Sequence, residues 1–205
     1  MKWLLGIIAA LCLNAVALAQ ELAPDTLVKN VTNEVLEIVR KDKEIQSGST
    51  KKAIELVDAK VLPHFNFTRM TQLAVARDWR QATPEQQKTL TAEFRTLLVR
   101  TYSKALTEYK NQTIDIRPFK MQPTETDVKV RTLINQPGAK AIDLDYYLDK
   151  QPNGWKVYDI EVGGVSLVTN YRSEFTAEVR KGGIDGLIAT LQKKNKTGEA
   201  TVPKK

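Results

Sequence analysis

The sequence is poor in the side chains that most metal sites and covalent catalytic centres require. It contains one cysteine, Cys12, and one histidine, His64, among 205 residues. Because the chain has so few of these side chains, the usual zinc sites and the cysteine-dependent active sites are excluded. The sequence also has no internal repeats and no low-complexity segment. Its length therefore predicts a single domain with a packed core that does not depend on disulfides.

The first residues predict export. Lys2 precedes an apolar run, residues 3–16, and Ala17-Leu18-Ala19 has the small-x-small cleavage pattern. The run is too short to span a membrane, so we interpret residues 1–19 as a secretory signal peptide cleaved after Ala19. Cleavage would remove Cys12. The alternative that the sequence leaves open is an uncleaved membrane anchor.

Basic residues outnumber acidic ones, and the formal net charge is +7. For an exported chain this favours anionic lipid head groups or acidic protein surfaces over nucleic acid as partners, although a simply solvated surface also explains it. We expect one domain over residues 20–194 and a disordered basic tail over residues 195–205.

The first half of the chain has helical periodicity. Apolar residues recur at three- and four-residue spacing, and they predict helices over residues 24–41, 50–62, 68–79 and 84–109. Thr83 and Gln86 form a capping box at the start of the last of these, with Pro84 at the first helical position. No glycine or proline interrupts this helix as far as Tyr109, so we expect about 26 residues, or roughly 39 Å.

The pattern then changes to the alternation of strands. Residues 113–121, 126–135, 141–150 and 155–162 predict four strands, and Asn153-Gly154 predicts a tight hairpin before the last one. Sequential strands joined by short turns form an antiparallel meander. Because the helices lie before and after it, the fold class is α+β. Strict alternation places Trp155 and Val157 on one face and Tyr158, Ile160 and Val162 on the other.

The stretch WKVYDIEVGGVSLVTNYRSEF, residues 155–175, joins the last strand to a helix. Gly163 and Gly164 permit a sharp turn, and Ser166 is positioned to cap the helix that follows. Gly182-Gly183 is expected to end this helix, and residues 184–194 form a last short one. Such a strand-to-helix corner forms one wall of an interior, which is either filled by side chains or left open.

Few residues support catalysis. Asp143, Asp145 and Asp159 could supply carboxylates for acid–base chemistry, but alternation places Asp143 and Asp145 on the face opposite Leu144 and Tyr146. A solvated outer face explains them better, because charged residues are seldom buried unpaired.

Five segments resemble the MlaC family, whose members are periplasmic phospholipid-binding proteins of the Mla pathway and are also described as toluene-tolerance proteins. In order they are VLPHFNFTRM, ATPEQQ after Trp79, EFRTLLVRTYSKALTEY, WKVYD and GVSLVTNYRSEF. The resemblance covers residues 25–191. This chain departs from the family in having Asn66 where aspartate is common and Val75-Ala76 where Leu-Gly is common.

The resemblance implies a fold like that of nuclear transport factor, a curved four-stranded meander wrapped by helices around a deep hydrophobic pocket. It implies a monomeric carrier without catalytic residue, metal or cofactor, whose cargo is a phospholipid held by its acyl chains. The implied partners are an inner-membrane ABC transporter complex with its substrate-binding ring and an outer-membrane lipoprotein–porin complex. The implied role is to maintain lipid asymmetry. Two other readings remain, a cavity-based isomerase or hydratase and a periplasmic scaffold without lipid.

For the pocket we predict a lining drawn from the long helix, the sheet and the strand-to-helix corner. In chain order the predicted residues are Phe94, Leu98, Tyr102, Leu106, Val130, Leu144, Tyr146, Val157, Val162, Val165, Leu167, Tyr171 and Phe175. The choice of strand residues depends on which face of the sheet points towards the pocket, and a shift of one residue in the strand pattern would select the opposite face.

Overall fold

The computed structural model describes residues 22–109 and 111–198. The predicted signal peptide and most of the predicted tail lie outside these ranges. The α-helices in the described residues are α1 (Pro24–Lys41), α2 (Lys43–Gln46), α3 (Thr50–Lys60), α4 (Phe67–Val75), α5 (Pro84–Tyr102), α6 (Lys104–Thr107) and α7 (Arg172–Thr197). Short 3-10 helices cover Leu62–His64, Ala76–Gln81 and Thr169–Tyr171.

The strands form one antiparallel sheet. They are β1 (Thr113–Ile116), β2 (Asp127–Asn135), β3 (Ile142–Gln151), β4 (Gly154–Val162) and β5 (Val165–Ser166), and they lie side by side in chain order. The α+β class and the meander are confirmed. Within the described residues the sheet has five strands rather than four, because the tight turn at Gly163 and Gly164, both at positive φ, folds Val165 and Ser166 back onto β4.

The capping box at the start of α5 is confirmed. Thr83 Oγ1 accepts from the Gln86 N–H, and Gln86 Oε1 accepts from the Thr83 N–H. The predicted length of this helix is wrong, since α5 ends at Tyr102 and a short α6 follows Ser103. Tyr109 explains the change of direction, because its ring is buried with Val35, Val39 and other residues of the first helices. Its hydroxyl contacts Arg40 Nε at 2.7 Å and the Gln112 carbonyl at 2.8 Å.

The third predicted helix is broken at Ala76. This residue has φ 55° and ψ −127°, and it is the only non-glycine residue at positive φ in the described ranges. An L side chain in that region strains the backbone. The α-helix therefore stops at Val75, and a 3-10 helix carries the chain on to Gln81.

Replacing Ala76 with glycine should stabilise the protein. Relief of the backbone strain outweighs the added flexibility of the unfolded chain, and we expect a gain of about 1 kcal/mol in the free energy of unfolding. Urea denaturation at unchanged m-value measures it. Ala92→Gly, in the exposed part of α5, is the matched control and should cost about 1 kcal/mol. A loss of stability in both variants would contradict the assignment of strain to Ala76.

Helix α7 is a hairpin of two helices. Gly182 and Gly183 have non-helical backbone angles, so the chain reverses there, as the two glycines predict. Glu174 pairs with Lys194, and Glu178 Oε2 accepts from Thr190 Oγ1 at 2.9 Å, which holds the two arms antiparallel. The second arm continues to Thr197 and buries Asn195. Residues 195–197 are therefore helical, whereas the sequence placed them in a disordered tail.

A β-bulge changes which residues share a face of the sheet. In β3, Tyr147 pairs with Asp159 but Leu148 pairs with Val157, so Tyr158 is an extra residue in β4. Ile160 therefore returns to the face of Val157, and Tyr158 packs on the opposite face. Strict alternation had separated Ile160 from Val157, and that prediction is wrong because it could not include the extra residue.

Three apolar clusters pack around these elements. The first joins α4, α5 and α7 and includes Phe94, Tyr171 and Phe175. The second lies between α1 and the sheet, and the third joins α1, α3 and Tyr109. The protein thus buries apolar side chains on both faces of the sheet.

Candidate functional site

Two rows of apolar side chains cross one face of the sheet, which we call the inner face. In the first row Val130 pairs with Tyr146, and Tyr146 pairs with Ile160. In the second row Thr132 pairs with Leu144, Leu144 with Val162, and Val162 with Val165. Directly paired residues on neighbouring strands point to the same side. The predicted sheet residues Val130, Leu144, Tyr146, Val157, Val162 and Val165 therefore share the inner face.

Helix α1 covers only one end of the inner face. Val130 and Val157, beside Leu27 and Val28 of α1, are 0% and 4% exposed. Towards β4 and β5 the same face is less covered, and Leu144, Val162 and Val165 are half-buried. The apolar surface of the sheet thus extends beyond the area that α1 covers.

Tyr146 marks the boundary between the two ends. Its hydroxyl lies deep in the protein, where burial raises the pKa of the phenol and the side chain of Thr32 on α1 acts in the opposite direction. The residue as a whole is half-buried. Tyr146 thus lies between the part of the inner face that α1 covers and the part that remains partly accessible.

The helical residues of the predicted lining divide in the same way. Phe94 meets the rings of Tyr171 and Phe175 edge-on, at centroid distances of 5.2 Å and 5.1 Å. These rings and Leu98 are buried in the first cluster, which also contains Tyr158 of β4. Tyr102 and Leu106, at the end of α5 and in α6, are half-buried. The predicted lining is thus partly packed core and partly accessible apolar surface.

Asp159 fastens the corner between β4 and α7. Its Oδ1 accepts from the N–H groups of Ile160 and Val168, and its Oδ2 accepts from Ser166 Oγ at 2.5 Å. Burial raises the pKa of this carboxyl, and the donors act in the opposite direction. This corner holds Val165 and Leu167 beside the inner face, and the Leu167 N–H donates to the Ile160 carbonyl at 2.8 Å.

Ser166 was predicted to cap the helix that follows it, and that prediction is wrong. Its Oγ accepts from the Thr169 N–H at 2.9 Å, but the N-cap residues are Val168 for the 3-10 helix Thr169–Tyr171 and Tyr171 for α7, and neither helix has a side-chain cap. Helix α7 also begins only at Arg172, later than predicted.

The carboxylates considered for catalysis do not form a pair. Asp143 is exposed, Asp145 Oδ2 contacts Lys129 Nζ at 2.7 Å, and the Asp159 oxygens accept the three hydrogen bonds of the corner. A carboxylate already held by three donors is a poor general base. The described residues also contain no cluster of side chains suited to a metal ion.

A clamp centred on Arg69 was not predicted from the sequence. Its guanidinium contacts Asp127 at 2.5 Å and Asp149 at 3.2 Å, and its Cζ lies 3.6 Å from the centroid of the Tyr158 ring. Asn66 joins the clamp, because its Nδ2 donates to Asp149 Oδ2 at 3.0 Å while its Oδ1 caps α4. The clamp ties α4 to three strands, on the face away from the predicted lining.

Two open clefts lie elsewhere on the surface. One, of ≈ 400 Å³, separates α1 from β1 at Lys29 and Ile116, and the other, of ≈ 440 Å³, separates α3 from α5 at Ile54 and Val99. Neither contains a residue of the predicted lining.

None of the helices in the described part of the chain has both the length and the apolar character needed to cross a bilayer.

The sequence profile of the MlaC protein family matches residues 29–193. A curated relative from Haemophilus influenzae, the intermembrane phospholipid transport system binding protein MlaC, is 25% identical over 93% of this chain and 92% of its own length. The toluene tolerance protein ttg2D of Pseudomonas putida is 26% identical over 90% of this chain and 84% of its own length.

A solved structure shares the fold. It is a phospholipid-binding protein from Ralstonia solanacearum in complex with a phospholipid. It is 39% identical, and the match has a TM-score of 0.79 and covers 85% of this chain and 98% of the other.

Proposed function

The chain belongs to the MlaC family, and on that premise we propose that it is a periplasmic carrier that binds one phospholipid by its acyl chains and moves it between the outer and inner membranes. The observation that carries the proposal is the partly accessible apolar end of the inner face, together with the structural match to a protein solved with a phospholipid. The proposed pocket lies between this end of the sheet, Tyr102 and Leu106.

Some residues of the predicted lining are partly accessible and adjacent. Leu144, Val162 and Val165 are half-buried, and they pair side by side across β3, β4 and β5. A continuous, partly accessible apolar surface of this kind supports the proposed binding site.

Physical chemistry requires a carrier for this cargo. Each methylene group kept from water contributes about 0.8 kcal/mol, so a two-chain lipid does not cross an aqueous compartment unshielded at a useful rate. In a dry apolar pocket the chains are about as stable as in a bilayer, so loading and unloading are nearly balanced. Direction then depends on partners with different affinities for the loaded and empty protein. We propose the inner-membrane ABC transporter complex with its substrate-binding ring and the outer-membrane lipoprotein–porin complex as those partners.

The test is lipid extraction. The purified mature protein should yield phospholipid by mass spectrometry at close to one molecule per chain. An unrelated periplasmic protein purified in parallel is the control for lipid carried over from membranes. Recovery no higher than in that control, before and after incubation with phospholipid vesicles, would contradict the carrier function.

A further inference from the structure

A band of apolar side chains crosses all five strands of the described sheet on its inner face. The band passes from strand to strand through directly paired residues and, within β3, through two residues that point to the same side. From β1 to β5 its members are Ile114, Ile134, Ile142, Leu144, Val162 and Val165. All six are half-buried, and none is among the residues that form or pack against the three apolar clusters of the described chain. The band is therefore apolar surface that lies outside the packed core.

The length of the band suits an acyl chain. Five neighbouring strands at about 4.8 Å spacing extend over roughly 19 Å. One leaflet contributes roughly 15 Å, half of the hydrocarbon core of a bilayer. The β4–β5 end of the band belongs to the proposed pocket, and the β1 end lies in the cleft of ≈ 400 Å³ between α1 and β1, which is lined by Ile114 and Ile116. An acyl chain along the band thus reaches from the pocket to this cleft.

The other wall of the cleft is polar. Lys29, Thr32 and Asn33 line it from α1, at the spacing that places side chains on one side of a helix. Lys29 is exposed and forms no ion pair within the described part of the chain. The carboxylate of Glu34 on the same helix is already paired with Lys60, at 2.6 Å. Lys29 is therefore a cation that is free to bind an anion in the cleft.

The free edge of β1 adds backbone donors. The Arg117 N–H donates to the Arg131 carbonyl at 2.9 Å, and this pair continues the register between β1 and β2. Hydrogen-bonded and non-hydrogen-bonded pairs alternate along an antiparallel ladder. The N–H and carbonyl groups of Ile114 and Ile116 therefore point away from β2, towards the open edge of the sheet beside α1.

Asp115 also lines the cleft, but its carboxylate points elsewhere. Alternation along β1 places its side chain on the face of the sheet opposite Ile114 and Ile116. There its Oδ2 accepts from Asn135 Nδ2 at 2.7 Å. The anionic group of Asp115 is thus directed away from the apolar band and does not neutralise Lys29.

We infer that the cleft between α1 and β1 is the head-group site of the carrier, in which Lys29 Nζ and the N–H groups of Ile114 and Ile116 bind the phosphate of a lipid whose acyl chain lies along the band. A phosphate is bound best by a cation together with hydrogen-bond donors, and both are present at the end of the apolar band. This inference rests on the proposed carrier function and adds the place and chemistry of the head group. The site should distinguish a phospholipid from diacylglycerol, which lacks the phosphate.

The first experiment compares lipids with and without the phosphate. Lipid-stripped mature protein is incubated with phosphatidylcholine vesicles that contain diacylglycerol with the same chains, and the retained lipids are measured by mass spectrometry. Lys29→Gln should lower the ratio of retained phosphatidylcholine to diacylglycerol about threefold relative to the wild type, the usual effect of one exposed charge pair. The wild-type ratio should also fall between about 0.1 M and 1 M salt because of screening, whereas that of Lys29→Gln should change little.

Lys51→Gln is the matched control. Lys51 is an exposed lysine of α3 and lines neither of the two clefts. This variant has the same change of charge as Lys29→Gln, so it should keep the wild-type ratio and its dependence on salt.

The second experiment locates the phosphate by NMR. The backbone amide resonances of Ile114 and Ile116 should shift when the stripped protein is loaded with phosphatidylcholine, and they should shift less with diacylglycerol. Inorganic phosphate added to the loaded protein should leave them unchanged, because the head group already occupies the cleft. Shifts caused by inorganic phosphate in the loaded protein would show a site for a free anion and would overturn the inference.

The two experiments separate the head-group site from the carrier function. If the wild type retains phospholipid but Lys29→Gln leaves the ratio unchanged, the head-group site is overturned and the carrier function stands. Amide resonances that do not respond to phosphatidylcholine in a protein that retains it lead to the same conclusion. Recovery of neither lipid from the wild type would overturn both.

Discussion

Replacing Phe94 with alanine should lower the free energy of unfolding by about 3–5 kcal/mol, the usual cost of removing a buried phenylalanine. Phe94 is 0% exposed and meets the rings of Tyr171 and Phe175 edge-on. The substitution removes both ring contacts and leaves a cavity between α5 and α7. At roughly 2–4 °C per kcal/mol for a chain of this size, the melting temperature should fall by about 10 °C.

Leu106→Ala is the matched comparison within the predicted lining. Leu106 is half-buried at the margin of the third cluster, so its truncation should cost about 1 kcal/mol. Both measurements require lipid-stripped protein, because a bound ligand adds to the apparent stability. We also expect folded Phe94→Ala to retain lipid and Leu106→Ala to retain less. The opposite result, a stable Phe94→Ala that loses its lipid, would show that Phe94 lines the pocket instead of supporting it.

Local patterns predicted the elements of this fold where neighbours in sequence determine the structure. The capping box of Thr83 and Gln86 depends on residues within one turn, and it is present. The alternation in β3 also predicted correctly that Leu144 and Tyr146 share a face opposite Asp143 and Asp145. Both patterns are complete within a short segment, so they can be identified from sequence alone.

The errors occurred where partners distant in sequence decide the outcome. The end of α5 depends on the burial of Tyr109 beside Val35 and Val39 in α1. The bulge at Tyr158 lets its hydroxyl donate to Asp127 Oδ1 at 2.7 Å and its ring lie under Arg69. No spacing within β4 indicates that Arg69 lies above it. The side-chain pattern of a strand is therefore reliable only up to its first bulge.

The sequence predicted which residues belong to the candidate site better than it predicted how they are arranged. The sequence indicates which side chains are apolar, and it placed Val130, Leu144, Tyr146 and Val157 on one face of the sheet. It cannot indicate that α1 covers Val130 and leaves Leu144 half-buried, because that depends on where the helix packs. The departure at Val75-Ala76 from the Leu-Gly common in the family was visible in the sequence, but it did not predict strain, and only the structure shows that Ala76 lies at positive φ.

Replacing Val165 with glutamate should abolish phospholipid retention. Val165 pairs with Val162 at the partly accessible end of the inner face, and it is half-buried. An ionised carboxylate there would have to lose its hydration each time acyl chains entered the pocket, which costs several kcal/mol. The effect on folding should be small by comparison, since β5 is a two-residue edge strand and an empty pocket leaves the new side chain in water. Lipid extraction with mass spectrometry measures the loss, and a thermal melt shows whether the variant is folded.

The pH dependence of lipid retention by Val165→Glu distinguishes the effect of the new charge from the effect of the larger side chain. The apolar lining favours the neutral form of the new carboxyl when lipid is bound, so its pKa is higher in the loaded protein than in the empty one. Lipid retention should therefore recover as the pH falls to about 5 and below, where glutamate begins to take up its proton. Val99→Glu, at a half-buried valine of the cleft between α3 and α5, provides the control and should retain lipid at every pH. Equal lipid recovery from Val165→Glu and the wild type at neutral pH would show that the pocket wall lies elsewhere.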